Sequence, residues 1–296
     1  MKDFSSWGVK VRKYPEYNYH AVWSNLKTLR LGIGQARELP PEKSEFYDIS
    51  LGTKCNKCCP FCYVGATKDG IFYKDVVKKA KLFFGGMDQN QRPYQCAIGS
   101  ESEGTIHPEF LEFIKTMYEL GIVPNYTTNG ITLVSPGNEK LLEYTEKYCG
   151  GVAISVDWRE DTWEKAVEVL QTRDVFINLH IIIKNEESVM SFLDTYAKYK
   201  DRVHTFVLLP LMPEGRSKES YTKAAFNLLV NKWSEIDEPG KVAFGANFYK
   251  DLQEQNKIPV YLYEPESFSK NLILSDPIRI TPSSFNRETT LYEYKI

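Results

Sequence analysis

Four of the six cysteines fall in one window, Cys55-Asn-Lys-Cys58-Cys59-Pro-Phe-Cys62, while Cys96 and Cys149 stand far from it. Thiolates crowded this closely are either a disulfide framework or ligands for metal. A disulfide scaffold belongs to short secreted chains, and this one has 296 residues. Ligation is the better reading, and two parsings compete. Cys55-x₂-Cys58 with Cys59-x₂-Cys62 would make a four-thiolate zinc site. The two pairs of such a site are normally about 12–20 residues apart, so that they can meet tetrahedrally. Here the pairs abut, and Cys58 and Cys59 would point in different directions. Cys55-x₃-Cys59-x₂-Cys62 instead directs three thiolates at three irons of a [4Fe–4S] cube. Cubes ordinarily take four cysteines, so the fourth iron would be left open to another ligand.

The elements that must hold this loop are legible as an alternation of short apolar strands and amphipathic helices from residue 46 onward. Phe46–Leu51 reads as a first strand running into the cysteine loop, and Lys74–Phe84 as a helix with Val76, Val77, Ala80 and Phe84 on one face. Tyr94–Gly99, Ile122–Thr127, Gly151–Val156, Val175–Ile183 and Val203–Leu209 follow as strands. The helices between and after them are one opened by Pro108, then Leu141–Tyr148, Thr162–Leu170, Glu187–Tyr199 and Tyr221–Ile236. Six strands each followed by a helix argue an α/β chain with a parallel sheet, curled by right-handed crossovers into a partial (β/α)₆ barrel. A full eight-unit barrel would need two more units. The expected organisation is an N-terminal lead-in or cap over residues 1–45, the partial barrel over 46–238, and a β-rich C-terminal tail over 239–296 with strands at 242–245, 260–263 and 278–280. The lead-in is too short to bury a core of its own, and its Tyr14, Tyr17, Tyr19 and Trp23 are read as packing.

The apolar share of 42% and charged share of 26% are ordinary for a folded soluble chain. Lys+Arg 37 against Asp+Glu 39 leaves a net charge of −2, so bulk nucleic acid is not the expected partner. Lys78, Lys79 and Lys81 read as the solvated face of one helix. No stretch is apolar enough for a membrane span and the N-terminus lacks a signal-peptide core, which predicts a cytoplasmic chain with reduced thiols.

The spacing Cys55-x₃-Cys59-x₂-Cys62, with Phe61 and Tyr63 flanking the last cysteine, resembles the signature of the radical S-adenosylmethionine (radical SAM) superfamily. The resemblance extends over residues 46–216. Ile98-Gly-Ser-Glu-Ser-Glu103 is similar to the family's Gly-Gly-Glu segment, which binds the amino group of SAM. Glu101 and Ser102 replace the two glycines, Glu103 keeps the acceptor, and Thr105 and His107-Pro-Glu-Phe110 fit the continuation. Thr128-Asn129-Gly130, Ile154-Ser155-Val-Asp157, Asn178-Leu-His180 and Leu208-Leu209-Pro-Leu-Met-Pro-Glu-Gly-Arg216 resemble the ends of the third to sixth strands. The resemblance implies that Cys55, Cys59 and Cys62 hold a [4Fe–4S] cluster whose open iron takes the amino and carboxylate groups of SAM. The reduced cluster then cleaves SAM to a 5′-deoxyadenosyl radical, which abstracts hydrogen from a substrate carbon. It implies SAM contacts from Phe61, Ser102, Glu103, Thr105, Asn129, Ser155, Asn178, His180 and Leu209.

Each of these residues also has a plainer reading. Cys58 is an extra thiol beside the ligands, and Cys96 a small buried hydrophobe. Cys149 is a candidate hydrogen-atom donor or a core residue. Asp157 is a candidate contact to substrate or SAM, or a solvated strand-end carboxylate. His180 is a ribose or substrate contact or a core histidine, and Arg216 pairs with a carboxylate or fixes its own turn. No cysteine follows Cys149, so residues 150–296 supply no thiolate for an auxiliary cluster. The lead-in, the Ser155-Val-Asp157 strand and the Pro213-Glu-Gly-Arg216 turn look closest to the branch of peptide maturases and the molybdenum-cofactor cyclase. The expected partners are a peptide or protein side chain as substrate, and an external electron donor such as flavodoxin or ferredoxin. Two alternatives stand beside this reading: modification of a nucleotide or other small molecule, and a non-enzymatic iron–sulfur sensor or electron carrier.

Overall fold

The computed structural model describes residues 4–25, 27–32, 39–255, 257–258 and 269–295. A first unit is a three-stranded antiparallel sheet of β1 (Lys10–Tyr14), β2 (Tyr19–Ser24) and β3 (Lys27–Gly32). It does not close a core alone. Tyr14, Tyr19 and Trp23 pack on Tyr94 and Val123, at the N-terminal ends of two strands of the main sheet. Lys10 Nζ adds a 3.0 Å hydrogen bond to the Gly121 carbonyl. The three-stranded sheet therefore covers the N-terminal ends of those two strands.

The main sheet begins with β4 (Phe46–Ser50), followed by α1 (Val76–Gly85), β5 (Gln95–Ile98), α2 (Phe110–Glu119) and β6 (Val123–Thr128). Next come a single turn α3 (Ile131–Val134), α4 (Glu139–Tyr148), β7 (Gly151–Ser155), α5 (Thr162–Leu170) and β8 (Phe176–Ile183). Then follow α6 (Glu186–Tyr199), β9 (Thr205–Pro210), α7 (Lys223–Lys232), β10 (Val242–Phe244), α8 (Tyr249–Gln253), β11 (Ser269–Ile273), β12 (Ile278–Thr281) and β13 (Tyr292–Tyr294). Local chemistry sets the helix starts. Asn185 and Ser188 form a reciprocal capping box on α6, and Thr222 caps α7 through the Ala225 N–H.

The strand order is β10-β9-β8-β7-β6-β5-β4-β11-β12-β13. Every pairing from β10 to β11 is parallel, and only the β11–β12 and β12–β13 pairings are antiparallel. The six expected strands are thus consecutive neighbours. The C-terminal segment extends both sides of their sheet: β10 joins β9 and β11 joins β4. The strand expected at 260–263 lies outside the described residues. Among the described residues no helix is long and apolar enough to cross a membrane.

The period-2 alternation of the strands separates two faces. Tyr47, Ile49, Ile98, Tyr126, Ile154, Leu179 and Leu208 go into the apolar core under the helices. The opposite face carries small and polar side chains, and Gln95, Ala97, Asn125, Asn178 and His180 line a cavity of about 390 Å³ there. One expectation fails on the helical side. Lys78 and Lys81 are exposed, but Lys79 is buried and donates to the Leu274 carbonyl at 3.2 Å. The α1 face that packs inward carries Val76, Lys79, Ala80, Phe83 and Phe84, with Val77 at its margin. The C-terminal segment that flanks β4 supplies the acceptor an ammonium needs there.

Candidate functional site

The loop after β4 is built as an irregular ribbon. Cys55 N–H bonds Thr67 O and Thr53 N–H bonds Ile71 O, both at 2.8 Å, so the loop closes on itself and presents its cysteines beyond the strand end. Cys55, Cys59 and Cys62 are half-buried, while Cys58 is exposed. Burial pushes the Cys59 thiol up to about 11; Lys57 opposes this, and the charges of nearby Cys55 and Cys62 add to it. Cys55 is also raised, chiefly by burial, and also feels Glu103 and Cys62. Cys59 thus lies within electrostatic reach of Cys55 and Cys62, and Cys55 within reach of Cys62. Among the described residues no three His, Cys, Asp or Glu side chains gather to hold a single metal ion. A cube, by contrast, takes each thiolate on a different iron.

Three strand ends fix this loop. From β6, Asn129 Nδ2 donates to Asn56 Oδ1 at 2.7 Å and approaches Cys55 Sγ at 3.8 Å; the Lys57 N–H reaches the same sulfur at 3.4 Å. After β9, Arg216 clamps the loop by its backbone. Its Nε donates to Cys59 O and its guanidinium to Ala66 O, both at 2.8 Å, while its N–H reaches Cys62 O at 3.0 Å. Among the described residues Arg216 pairs with no carboxylate, and it does more than close its own turn. Gly215 lies so close beneath the loop that a Cβ would stand 2.4 Å from the carbonyl oxygens of Cys62 and Tyr63. After β7, Asp157 accepts from Arg159 at 2.7 and 2.8 Å and pairs with Lys57 of the loop at 2.8 Å. The Arg159 hydrogen bonds first, then Lys57, hold its carboxyl well below the ordinary range. Arg159 also covers the Phe61 ring at 5.4 Å.

Glu103, after β5, is almost fully buried. Its Oε1 accepts from Thr105 Oγ1 at 2.6 Å and Thr128 Oγ1 at 2.9 Å, and its Oε2 from the Asn129 N–H at 2.8 Å. Burial raises its pKa and these hydrogen bonds oppose the rise. Thr105 is in turn 2.8 Å from Thr132 Oγ1. Oε2 has one donor and so retains acceptor capacity.

The remaining candidates divide by face. Ser102 lies half-buried between Glu101 and Glu103. Ser155 ends β7 in register with His180, and Asn178 and His180 line the cavity. Low-dielectric surroundings push the His180 imidazole down to about 4, so it is neutral near pH 7. Leu209 is half-buried and alternates with the core residues Phe206 and Leu208, hence lies on the cavity's side of the sheet. Cys149 is not brought to the site. It caps α4 before β7 begins, at the opposite strand ends, inside the helix-side core with Cys96. Sequence reasoning missed the reach of Arg216 and Lys57. The sequence leads one to expect the tail to shape the pocket but not its particular contacts, where Tyr63 stacks on Phe285 at 4.5 Å and Arg287 approaches Glu101 at 3.6 Å.

No protein-family profile matches the chain, and no curated protein does. Solved structures do. Streptococcus suis SuiB bound to its precursor peptide SuiA is similar with a TM-score of 0.62 and 14% identity, over 84% of this chain and 62% of that one. SuiB bound to S-adenosylmethionine follows with a TM-score of 0.59, 14% identity, and 81% and 60% coverage. The enzyme anSMEcpe with bound AdoMet and the Cp18Cys peptide has a TM-score of 0.54 at 13% identity, over 79% and 73%. This chain thus spans about six tenths of the SuiB chains it matches. This chain therefore has the fold of SuiB and anSMEcpe.

Proposed function

We propose that this chain is a radical SAM enzyme that abstracts hydrogen from a carbon of a peptide or protein side chain. The observation that carries the reading is the gathering of Cys55, Cys59 and Cys62, with Cys58 left outside, at the C-terminal end of the first strand of a parallel sheet whose fold is that of SuiB and anSMEcpe. Ligand chemistry in parallel α/β folds collects at such ends. The donor set suits a cube: three thiolates, with N–H groups of Lys57 and Asn129 turned to the Cys55 sulfur. When bound, the cluster and SAM supply a one-electron cleavage that yields a carbon radical.

The protein's part is positioning. Arg216 and Gly215 hold the loop, and Lys57–Asp157 ties it to β7. Glu103 offers a remaining acceptor lone pair to the SAM ammonium, with Ser102, Thr105 and Asn129 around it. Ser155, Asn178 and neutral His180 offer hydrogen bonds without adding positive charge beside a sulfonium. Phe61 and Leu209 provide apolar surface for adenine. Asp157, neutralised by two cations, acts here as a brace, and Cys149 serves the core. The peptide substrate is inferred from SuiB and anSMEcpe, each of which was solved with a peptide. An external donor such as flavodoxin or ferredoxin would reduce the cluster, and the partial barrel would enclose the reaction.

The test is anaerobic. The protein is reconstituted with iron and sulfide, reduced, given SAM, and 5′-deoxyadenosine is quantified. Product that is lost in Cys55→Ala, Cys59→Ala and Cys62→Ala but kept in Cys58→Ala is expected. A cluster that forms yet neither binds nor cleaves SAM would replace this reading with electron transfer or sensing, and stoichiometric zinc would overturn it.

A further inference from the structure

A second group of charged residues meets the cysteine loop at Tyr63, whose hydroxyl donates to the Ser100 carbonyl at 2.8 Å. Asp48 is central in β4, on the face opposite Tyr47 and Ile49. Its register partners are Ala97 of β5 on one side and Asn271 of β11 on the other. Asn125, the next residue across, and Ala97 both line the cavity. The row Asn271–Asp48–Ala97–Asn125 thus runs from the tail strand into the cavity, and the methyl of Ala97 leaves space between its polar members. Above it sits Glu101, 5% exposed, whose charge adds to the burial that pushes the Asp48 carboxyl up to about 7.

Three buried polar atoms here have no hydrogen-bond partner among the described residues: Glu101 Oε2, Ser100 Oγ and Asn271 Oδ1. Asn271 is oriented by its Nδ2, which donates to Thr281 Oγ1 at 3.1 Å, so its free atom is an acceptor. A buried acceptor without a donor costs on the order of 1–3 kcal/mol, and native structures rarely leave several together. The protein's own cations near this spot are Arg287, 31% exposed at its side chain and 3.6 Å from Glu101 Oε1, and Arg279, which acts with Glu101 and Arg287 on Tyr73. Two carboxyl groups and two further oxygens, with no hydrogen bond from either guanidinium to the three unpartnered atoms, suit a positively charged group with several N–H donors. An anion would be repelled, and a neutral apolar group would leave the acceptors unmet. Glu103, by contrast, is turned toward Thr128 and Asn129 of β6, so its site and this one are separate.

We propose that Asp48, Glu101, Ser100 and Asn271 form a subsite for the ammonium or guanidinium of a basic residue in the substrate peptide. This deepens the radical SAM reading and rests on it for the peptide, but its test reads binding alone. The reconstituted protein, saturated with SAM, is titrated calorimetrically with N-acetyl-lysinamide, N-acetyl-argininamide, the neutral N-acetyl-norleucinamide and n-butylamine. The two basic residues are expected to bind at least tenfold tighter than norleucinamide and tighter than butylamine. Glu101→Gln should abolish that preference, and Arg287→Gln, which removes a competing cation, should tighten binding several-fold. If Glu101→Gln does not fold, Asp48→Asn reports the same loss. Equal affinity for norleucinamide, or a preference that survives Glu101→Gln, would overturn the proposal. Probes that displace SAM would assign these acceptors to the SAM ammonium instead, and butylamine binding as tightly as lysinamide would overturn the peptide assignment. Failure of SAM cleavage would leave these affinities readable, so the two readings can fail separately.

Discussion

Gly215 offers a quantitative check on how tightly the cysteine loop is seated. Its φ is +59°, and an added Cβ would meet Cys62 O and Tyr63 O at 2.4 Å and Tyr63 C at 2.5 Å. Gly137 has a similar φ of +81° but nothing within 4 Å of the same position. Both Gly→Ala changes place an L residue in left-handed backbone, which costs roughly 1–2 kcal/mol. Only Gly215→Ala adds overpacking, about 1–3 kcal/mol. The upper half of that range is expected, because the obstructing atoms are backbone and cannot rotate aside. The gap between the variants should thus be about 2–3 kcal/mol, or several degrees in Tm at about 2–4 °C per kcal/mol for domains of about 150–250 residues. Thermal melts of both variants before reconstitution, and iron per chain after it, test this. Gly137→Ala should load iron normally and Gly215→Ala poorly, since relieving the clash moves Cys62. Equal melts with equal iron content would refute the close approach and the role given to this turn.

Three further outcomes are expected. Arg216→Ala should lower iron retention and broaden the cluster's electron paramagnetic resonance signal, and Arg216→Lys should not restore it, because a point charge cannot span two carbonyls as a planar fork does. Asp157 has a folded pKa below its unfolded value of about 3.9, so its stabilisation is complete above that pH and lost as pH falls toward the folded value. The stability difference between wild type and Asp157→Asn should therefore shrink below about pH 4, as followed by urea melts across pH. His180 behaves in the opposite sense to a paired histidine. With a folded pKa of about 4 against about 6.5 unfolded, it erodes stability as pH falls from about 6.5 to 4 and contributes no slope above that. His180→Gln should flatten that part of the profile, and its ring signals in nuclear magnetic resonance should not titrate between about pH 5.5 and 8.

Elements whose burial follows simple periodicity were legible in the sequence. The helix Thr162–Leu170 and the strands around Ile98, Tyr126 and Leu179 repeat at 3.6 or 2 residues and formed where expected. β11 was missed because Lys270 and Asn271 interrupt its apolar run, yet both are buried. Lys79 was misread for a related reason: local pattern shows a cation on a helix but not the Leu274 carbonyl that receives it 195 residues later. The same separation hid Arg216, whose partners lie about 150 residues upstream. Glu101 was visible as a departure from glycine, while its tail partner Arg287 was not.

The pairing of β4 with β11 carries a consequence for how the protein is made. The strand that leads into the cysteine loop obtains one neighbour from residues 95–98 and the other only from residues 269–273. Parallel contacts so far apart along the chain form late, since their loop-closure entropy precedes any gain. While the ribosome is still adding residues beyond Arg216, Cys55, Cys59 and Cys62 sit on a strand with one open side. Iron delivery that waited for β11 would meet a loop already fixed in place. Delivery before it would meet flexible thiols able to take zinc or to oxidise. On the proposed reading, expression with iron supply delayed until after translation should raise the fraction of correctly loaded chains.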